Sequence, residues 1–367
     1  MSEKLNSLFV IVNFGSLILL SFLSLANPVK ANQIASRLLG VFFLIWACFS
    51  ADEITLLLYN MELDQKWHLL LRSIQYFAPI LFYLIVVFYS NPSFKFKKAI
   101  LKHLILPVCF ISLLYYYGQS QSAMMNNVLI ALMLGQAIFY ISASYIRIRK
   151  HQKVVLLFSS QKEEVDLFWL ERIIIAMLLL TVVVIFYNIV FSLERLNLSM
   201  NGVVLIVIFY IAFHSMRQKE IYPFKEANIE EIISISEEPV IDDTKKKIVS
   251  DEELNLLQTQ LAQFMEKQKP YLDPDLNLIK LANNVEVSTH RLSYVINSGF
   301  NMNFFNFVNK YRVEEAKLLL LNSKKEHYSI LGIANEAGFS SKSAFNTTFK
   351  KVTGQTPSDF KNRGSVL

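Results

Sequence analysis

Apolar residues come in blocks of about twenty through the first 216 positions, and then the blocks stop. Seven such blocks stand at 6–26, 36–58, 67–90, 99–117, 123–146, 170–193 and 199–216. Each is long enough to cross a bilayer as a helix. Beyond Met216 the pattern turns polar and charged through 217–250. From Ser250 onward apolar residues return at three- and four-residue spacing, the period of helices that bury one face. The pattern predicts an all-α chain: a seven-helix transmembrane bundle over 1–216, a linker over 217–250, and a helical domain over 251–367.

Basic residues orient the bundle. One set of loops carries Lys30, Arg37, Lys95, Lys97, Lys98, Arg147, Arg149, Lys150, Lys153, Lys162, Arg217 and Lys219. The opposite set carries little beyond Lys4, Lys66 and Arg195. With seven spans, this bias puts the N-terminus outside and the C-terminus in the cytoplasm. The first block lacks a basic leader and is read as a span rather than a cleaved signal.

Charges inside spans are costly and need a reason. Asp52 and Glu53 lie in the second block and Arg72 in the third, roughly 9–12 Å from the outer ends at 1.5 Å per residue. Asn13, Gln75 and Asn188 fall at comparable depths. Two readings stand: a sensing pocket that opens outward, built on Asp52, Glu53, Arg72 and Asn188, or an internal ion pair that fixes helix packing. Cys48 and Cys109 both lie in apolar blocks and offer neither a disulfide framework nor metal-ligand spacing. No cofactor is expected.

Residues 217–253 hold 6 Lys/Arg against 11 Asp/Glu, the composition of a solvated tether. Ser250 and Glu253 then form a capping box that starts a helix. Its stripe of Leu254, Leu257, Leu261 and Phe264 suits packing onto the domain that follows or, alternatively, a dimer zipper. Pro270 and Pro274 end it.

The segment "ILGIANEAGFSSKSAFNTTFKKVTGQTP" predicts two helices around a tight turn. Ser329 caps the first, and Gly338 suits the left-handed residue that closes it. Ser341 caps the second, with Phe345, Phe349 and Val352 on one stripe and Lys342, Ser343, Asn346, Thr347 and Lys350 on the other. Gly354 stops it, and Thr356–Pro357 starts another helix. The arrangement repeats upstream. Asn277 caps "LIKLANN", Val285 sits in the turn, and Ser288 caps "THRLSYVINSG". There Leu292, Val295 and Ile296 face inward while His290, Ser293, Tyr294 and Asn297 face away. The two second helices start 53 residues apart. Between them Phe304 to Leu321 reads as one stiff helix of roughly 27 Å.

A short helix, a tight turn and a second helix with a polar face is the helix-turn-helix pattern, although a plain helical hairpin has the same outline. Duplication around a rigid spacer favours DNA, because it sets two reading helices about one duplex turn apart, roughly 34 Å. Lys, Asn, Ser and Thr are the side chains that read base edges in the major groove. From Asn277 to the end there are 12 Lys/Arg against 6 Asp/Glu. Lys310, Arg312, Lys350, Lys351 and Arg363 are expected phosphate contacts, with Lys317, Lys324, Lys325 and Lys361 as further candidates.

These residues carry a resemblance. "LANNVEVSTHRLSYVINSGFNMNFFNFVNKYRVEEAKLLL" followed by "ILGIANEAGFSSKSAFNTTFKKVTGQTPSDFKNR" closely resembles the DNA-binding domain of AraC/XylS transcription regulators, over about residues 255–363. The resemblance implies two helix-turn-helix units in one seven-helix domain that reads adjacent major-groove segments of promoter DNA. It places base-reading sites on His290, Ser293 and Tyr294, and on Lys342, Ser343, Asn346 and Thr347. Two departures stand out: membrane spans replace the usual soluble effector domain, and Tyr294 stands where Arg is common. The layout resembles membrane-bound AraC-type regulators of Bacteroidetes-like bacteria, which implies a bacterial inner membrane.

The expected function is a membrane-tethered, sequence-specific transcription regulator. Its expected partners are double-stranded promoter DNA, the lipid bilayer and a small-molecule or envelope signal, with RNA polymerase and a second copy of the chain as further candidates. The alternative is a transporter or other membrane protein with a regulatory DNA-binding appendage. No H-E-x-x-H, Gly-rich phosphate loop or Ser/His/Asp set with supporting context is present, so no catalytic residue is assigned.

Overall fold

The computed structural model describes all residues except 1, 27–31, 92–93, 95–97, 121, 161–166, 192–197, 218–248, 323–326 and 365–367. Among the described residues the chain is helical throughout, apart from one isolated antiparallel bridge between Ser159 and Asn277. It divides into two compact units, one of Met1–Arg149 with Leu167–Tyr222, the other of Lys150–Asp166 with Pro223–Leu367. The expected linker, 217–250, lies almost wholly outside the described residues.

The first unit contains α1 (Ser2–Ala26), α2 (Gln33–Ala47), α3 (Ala51–Tyr59), α4 (Gln65–Gln75), α5 (Ala78–Ser90), α6 (Ile105–Ser120), most of α7 (Ala123–Phe158), α8 (Phe168–Phe191) and α9 (Leu198–Arg217). Helix α1 packs on α2 and α9, α2 on α5, and α4 on α6. Small residues bring α1 and α2 together. A Cβ at Gly40 would stand 3.0 Å from the Ser21 carbonyl, and Ser21 Oγ donates to the Gly40 carbonyl at 2.9 Å.

Two of the expected spans are broken helices. A single 3-10 turn, Cys48–Ser50, separates α2 from α3. Helices α4 and α5 are interrupted at Tyr76–Phe77, where Pro79 in the first turn of α5 has no N–H to give. Glutamines cover the carbonyls at both breaks: half-buried Gln75 donates from Nε2 to Cys48 O and buried Gln136 from Nε2 to Tyr76 O, each at 3.1 Å. Irregular backbone in an apolar bundle persists only when its polar groups are satisfied this way.

Six stretches of the described residues are long and apolar enough to cross a membrane: Lys4–Ala26, Gln33–Tyr59, Gln65–Ser90, Leu101–Ser120, Ala123–Phe158 and Leu198–Met216. The remaining expected span, 170–193, falls on α8, a helix of 24 residues whose side chains are described only in part. Helix α7 runs twelve residues past the expected end at 146. Nothing in "IRIRKHQKVVLLF" breaks a helix, and its Ile148, Val155 and Phe158 are buried. Arg147, Arg149, Lys150 and Lys153, expected in a loop, therefore sit on this helix.

The second unit contains α10 (Asp251–Gln268), α11 (Leu278–Asn284), α12 (Thr289–Tyr294, continued by a π turn over Val295–Gly299), α13 (Phe304–Leu320), α14 (Ile330–Glu336), α15 (Lys342–Thr353) and α16 (Pro357–Gly364). Side chains cap these helices as their sequences demand. Ser250, Asn277, Ser288, Asn303, Ser329 and Ser341 each accept from the backbone N–H three residues on. The core around α13, α14 and α15 is apolar, with Val313, Ala316, Ile333, Ala334, Phe345 and Phe349 fully buried. Each buried Phe there contributes roughly 1.5–3 kcal/mol.

Candidate nucleic-acid interface

The two helix pairs, α11–α12 and α14–α15, repeat one another bond for bond. In the first turn Glu286 N–H donates to Asn283 O at 3.3 Å and Val287 N–H to Ala282 O at 3.1 Å. In the second, Gly338 N–H donates to Asn335 O at 3.0 Å and Phe339 N–H to Ala334 O at 2.9 Å. Glu286 and Gly338 hold the same left-handed backbone, at φ 56° and 87°. Only the second demands glycine for space as well, since a Cβ at 338 would stand 2.3 Å from the Tyr271 carbonyl oxygen.

Helix α15 buries Phe345 and Phe349 and closes at Gly354 with φ 78°. Its opposite face presents Lys342, Ser343, Thr347 and Lys350 in the open, with Asn346 half-buried beside them. Val352, expected on the inner stripe, is 47% exposed. It lies seven residues past Phe345, where the buried stripe has ended with Phe349.

In α12 the buried stripe is Thr289, Leu292, Ser293 and Ile296. Ser293 was expected among the base readers. It is 5% exposed because it shares the i, i+3, i+4, i+7 face with the core residues, and Asn297 Nδ2 donates to its Oγ at 3.4 Å. The outer face carries His290, Tyr294 and Asn297, each half-buried. Arg291, not singled out from sequence, pairs with Glu253 and so ties α12 to α10. The α10 stripe partly packs inward: Leu261 and Met265 are buried, and Leu257 and Phe264 line a small apolar hollow with Val285, Val287 and Val295.

Lys310, Lys350, Lys351 and Arg363 are all exposed. Arg312, expected as a phosphate contact, is not. It is 1% exposed and holds backbone carbonyls instead: Nε donates to Tyr271 O at 2.7 Å and Nη2 to Asp273 O at 2.8 Å. Burial pushes its guanidinium down to about 10, against the upward pull of Asp273 and Asp275, so it stays charged at neutral pH. Spacing could have distinguished it from the surface cations, because Arg312 lies four residues from both Val308 and Ala316 on the inner side of amphipathic α13. Lys324 and Lys325 lie outside the described residues.

In the first unit the charges within the apolar helices partner differently from the expected meeting of Asp52 and Glu53 with Arg72. Asp52 meets His68, Oδ2 to Nδ1 at 3.2 Å. Glu53 accepts from Asn6 at 3.4 Å; Asn6 in turn accepts from Asn201 at 2.9 Å, and Asn201 O accepts from buried Asn13 at 3.0 Å. Arg72 stands in the last turn of α4. The side chain of Asn188 lies outside the described residues. Among the described residues no group of His, Cys, Asp and Glu is arranged to hold a metal ion.

Comparison with known proteins bears on the second unit. Residues 281–363 match a family model described as a helix-turn-helix domain. Over 118 residues, 32% of this chain, the sequence is 31% identical to uncharacterized HTH-type transcriptional regulators of Staphylococcus aureus strains COL and MSSA476. The match spans 14% of the length of those relatives. A solved structure, the C-terminal domain of the two-component response regulator yesN from Fusobacterium nucleatum, is 27% identical. It aligns with a TM-score of 0.26, covering 29% of this chain and 98% of that one. The C-terminal part of the chain is thus a helix-turn-helix domain of the kind found in transcriptional regulators, which supports DNA-binding regulation.

Proposed function

We propose that the chain is a membrane-tethered transcription regulator that reads two neighbouring major-groove segments of promoter DNA. The observation that carries this reading is the duplicated helix-turn-helix. Two capped helices, each after the same hydrogen-bonded turn, keep their apolar stripes inside and leave hydrogen-bonding side chains outside. Lys342, Ser343, Asn346 and Thr347 read bases from α15, and His290, Tyr294 and Asn297 from α12. Lys310, Lys350, Lys351 and Arg363 neutralise phosphates, adding affinity and salt dependence without sequence choice.

The apolar helices of the first unit supply the tether, in a bacterial inner membrane with the DNA-reading unit in the cytoplasm. A signal received in the membrane or outside it is coupled to promoter occupancy. The polar contacts of Asp52 with His68 on α4 and of Glu53 with Asn6 are a candidate place for that signal to act. A transported substrate is a weaker alternative for the same residues, and flux in vesicles separates the two.

The test is genome-wide crosslinking of the tagged full-length protein to DNA in its native host. Discrete peaks that share two half-elements about one helical turn apart are expected. An intact protein in the membrane with no enriched DNA under any growth condition tried counts against promoter reading.

A further inference from the structure

The second unit takes in residues 150–166 along with 223–367, so the end of α7 packs within it. Ser159, just past that end, forms the antiparallel bridge with Asn277, whose side chain caps α11 at the start of the first helix-turn-helix. Ser160 is 3% exposed. Its Oγ donates to Leu276 O and accepts from Arg312 Nη2 at 3.1 Å, while its carbonyl accepts from Arg312 Nη1 at 3.3 Å and Asn309 Nδ2 at 3.4 Å.

Arg312 is the joint between the two helix-turn-helix units. It projects from the spacer helix α13 and holds the carbonyls of Tyr271 and Asp273, on the segment that leads into α11. The Tyr271 carbonyl and Arg312 Nε in turn bracket Gly338 in the second turn, at 2.3 and 3.1 Å from where a Cβ would stand. Whatever seats on Arg312 therefore touches the contact that relates one reading helix to the other. Without Ser160 the guanidinium still keeps the carbonyls of Tyr271, Asp273 and Pro274 as acceptors, so this partner can leave without stranding a bare buried cation. The partner also lies 152 residues away in sequence, two residues past the end of a helix whose first 27 residues belong to the other unit.

We propose that Ser159–Ser160 is a strap, through which helix α7 sets the relative placement of the two recognition helices. Ser160 and Arg312 are positioning residues: they act through the joint and touch no DNA. The proposal rests on the DNA-reading function proposed above, and it assigns the route by which the membrane unit regulates it. The linker over 217–250 is then a second connection rather than the sole one.

The test uses the full-length chain in lipid nanodiscs, with Cys48 and Cys109 replaced by Ala, and a duplex selected by the wild-type chain from a random library. Ser159→Cys with Asn277→Cys is expected to form a disulfide under mild oxidation. The locked chain is expected to bind the selected duplex within about twofold of the same chain reduced. Ser160→Tyr, too large for the buried site, is expected to bind the two-element duplex about tenfold more weakly. It should bind a single half-element within about twofold of wild type, because general misfolding would weaken both. The strap is overturned if the disulfide does not form, or if Ser160→Tyr binds both duplexes as wild type does. If the wild-type chain selects no duplex at all, the DNA-reading function fails first and takes the strap with it.

Discussion

Gly338 holds φ 87° with the Tyr271 carbonyl pressed against it, whereas Glu286 holds the same turn position at φ 56° in open space. Gly338→Ala is expected to lose roughly 1–3 kcal/mol from backbone strain and more from the clash. Glu286→Gly should be neutral or stabilising, and thermal unfolding of the two variants checks the contrast. At the reading face, Asn346→Ala should cost roughly 1–3 kcal/mol at one base pair and relax the preference there. Lys350→Ala should instead weaken all sequences alike and lower the salt slope by about one. Competition binding against duplexes mutated one position at a time, at two salt concentrations, separates the two roles. At this scale Phe345, Phe349 and the N-caps Ser250, Asn277, Ser288, Ser329 and Ser341 were legible from spacing and residue type alone. Ser293, Val352 and Arg312 were misassigned: Ser293 and Arg312 are polar residues that share a helix face with the core, and Val352 is an apolar residue past the end of the buried stripe.

Among the elements, α16 carries a reciprocal capping box. Asp359 accepts from the Thr356 hydroxyl at 2.6 Å and from the Thr356 N–H at 3.4 Å, while Thr356 Oγ1 accepts from Asp359 N–H at 3.2 Å. These hydrogen bonds hold the Asp359 carboxyl below its usual value, with Arg363 and Lys350 adding to the shift. A carboxylate whose folded pKa is depressed stabilises the folded state above its unfolded pKa, near about 3.9, and that contribution is lost as pH falls through the folded value. Amide protection over 357–364 in the full-length protein, taken relative to the intrinsic exchange rate at each pH, should therefore fall on acidification, and less so in Asp359→Asn. Helix ends with side-chain caps were readable in advance. The two breaks in the bundle were not, because the 3-10 turn at Cys48–Ser50 is made tolerable by Gln75 from a different helix.

At the scale of the molecule, α13 is 17 residues of continuous helix between two reading units, about 26 Å at 1.5 Å per residue. Duplex selection by the full-length chain should return two half-elements about one turn, roughly 10 base pairs, apart. Inserting half a turn between them should abolish the gain from the second element, because a stiff spacer cannot follow the groove to its far side. A spacing-tolerant duplex would mean that α13 and the Arg312 joint do not fix the two units. The same joint receives Ser160, so spacing preference and strap variants report on one contact from two directions.

Sequence by itself determined the helical class, the division into an apolar and a charged half, and the duplicated helix-turn-helix. Each of these is written in local periodicity, caps and composition, which need no distant partner. Only the tertiary structure decided that Arg312 is a buried joint, that Asp52 meets His68, and that the end of α7 packs with residues 270–312. Those outcomes depend on groups as many as 152 residues apart satisfying one another's hydrogen bonds, and no local pattern along the chain encodes such a meeting.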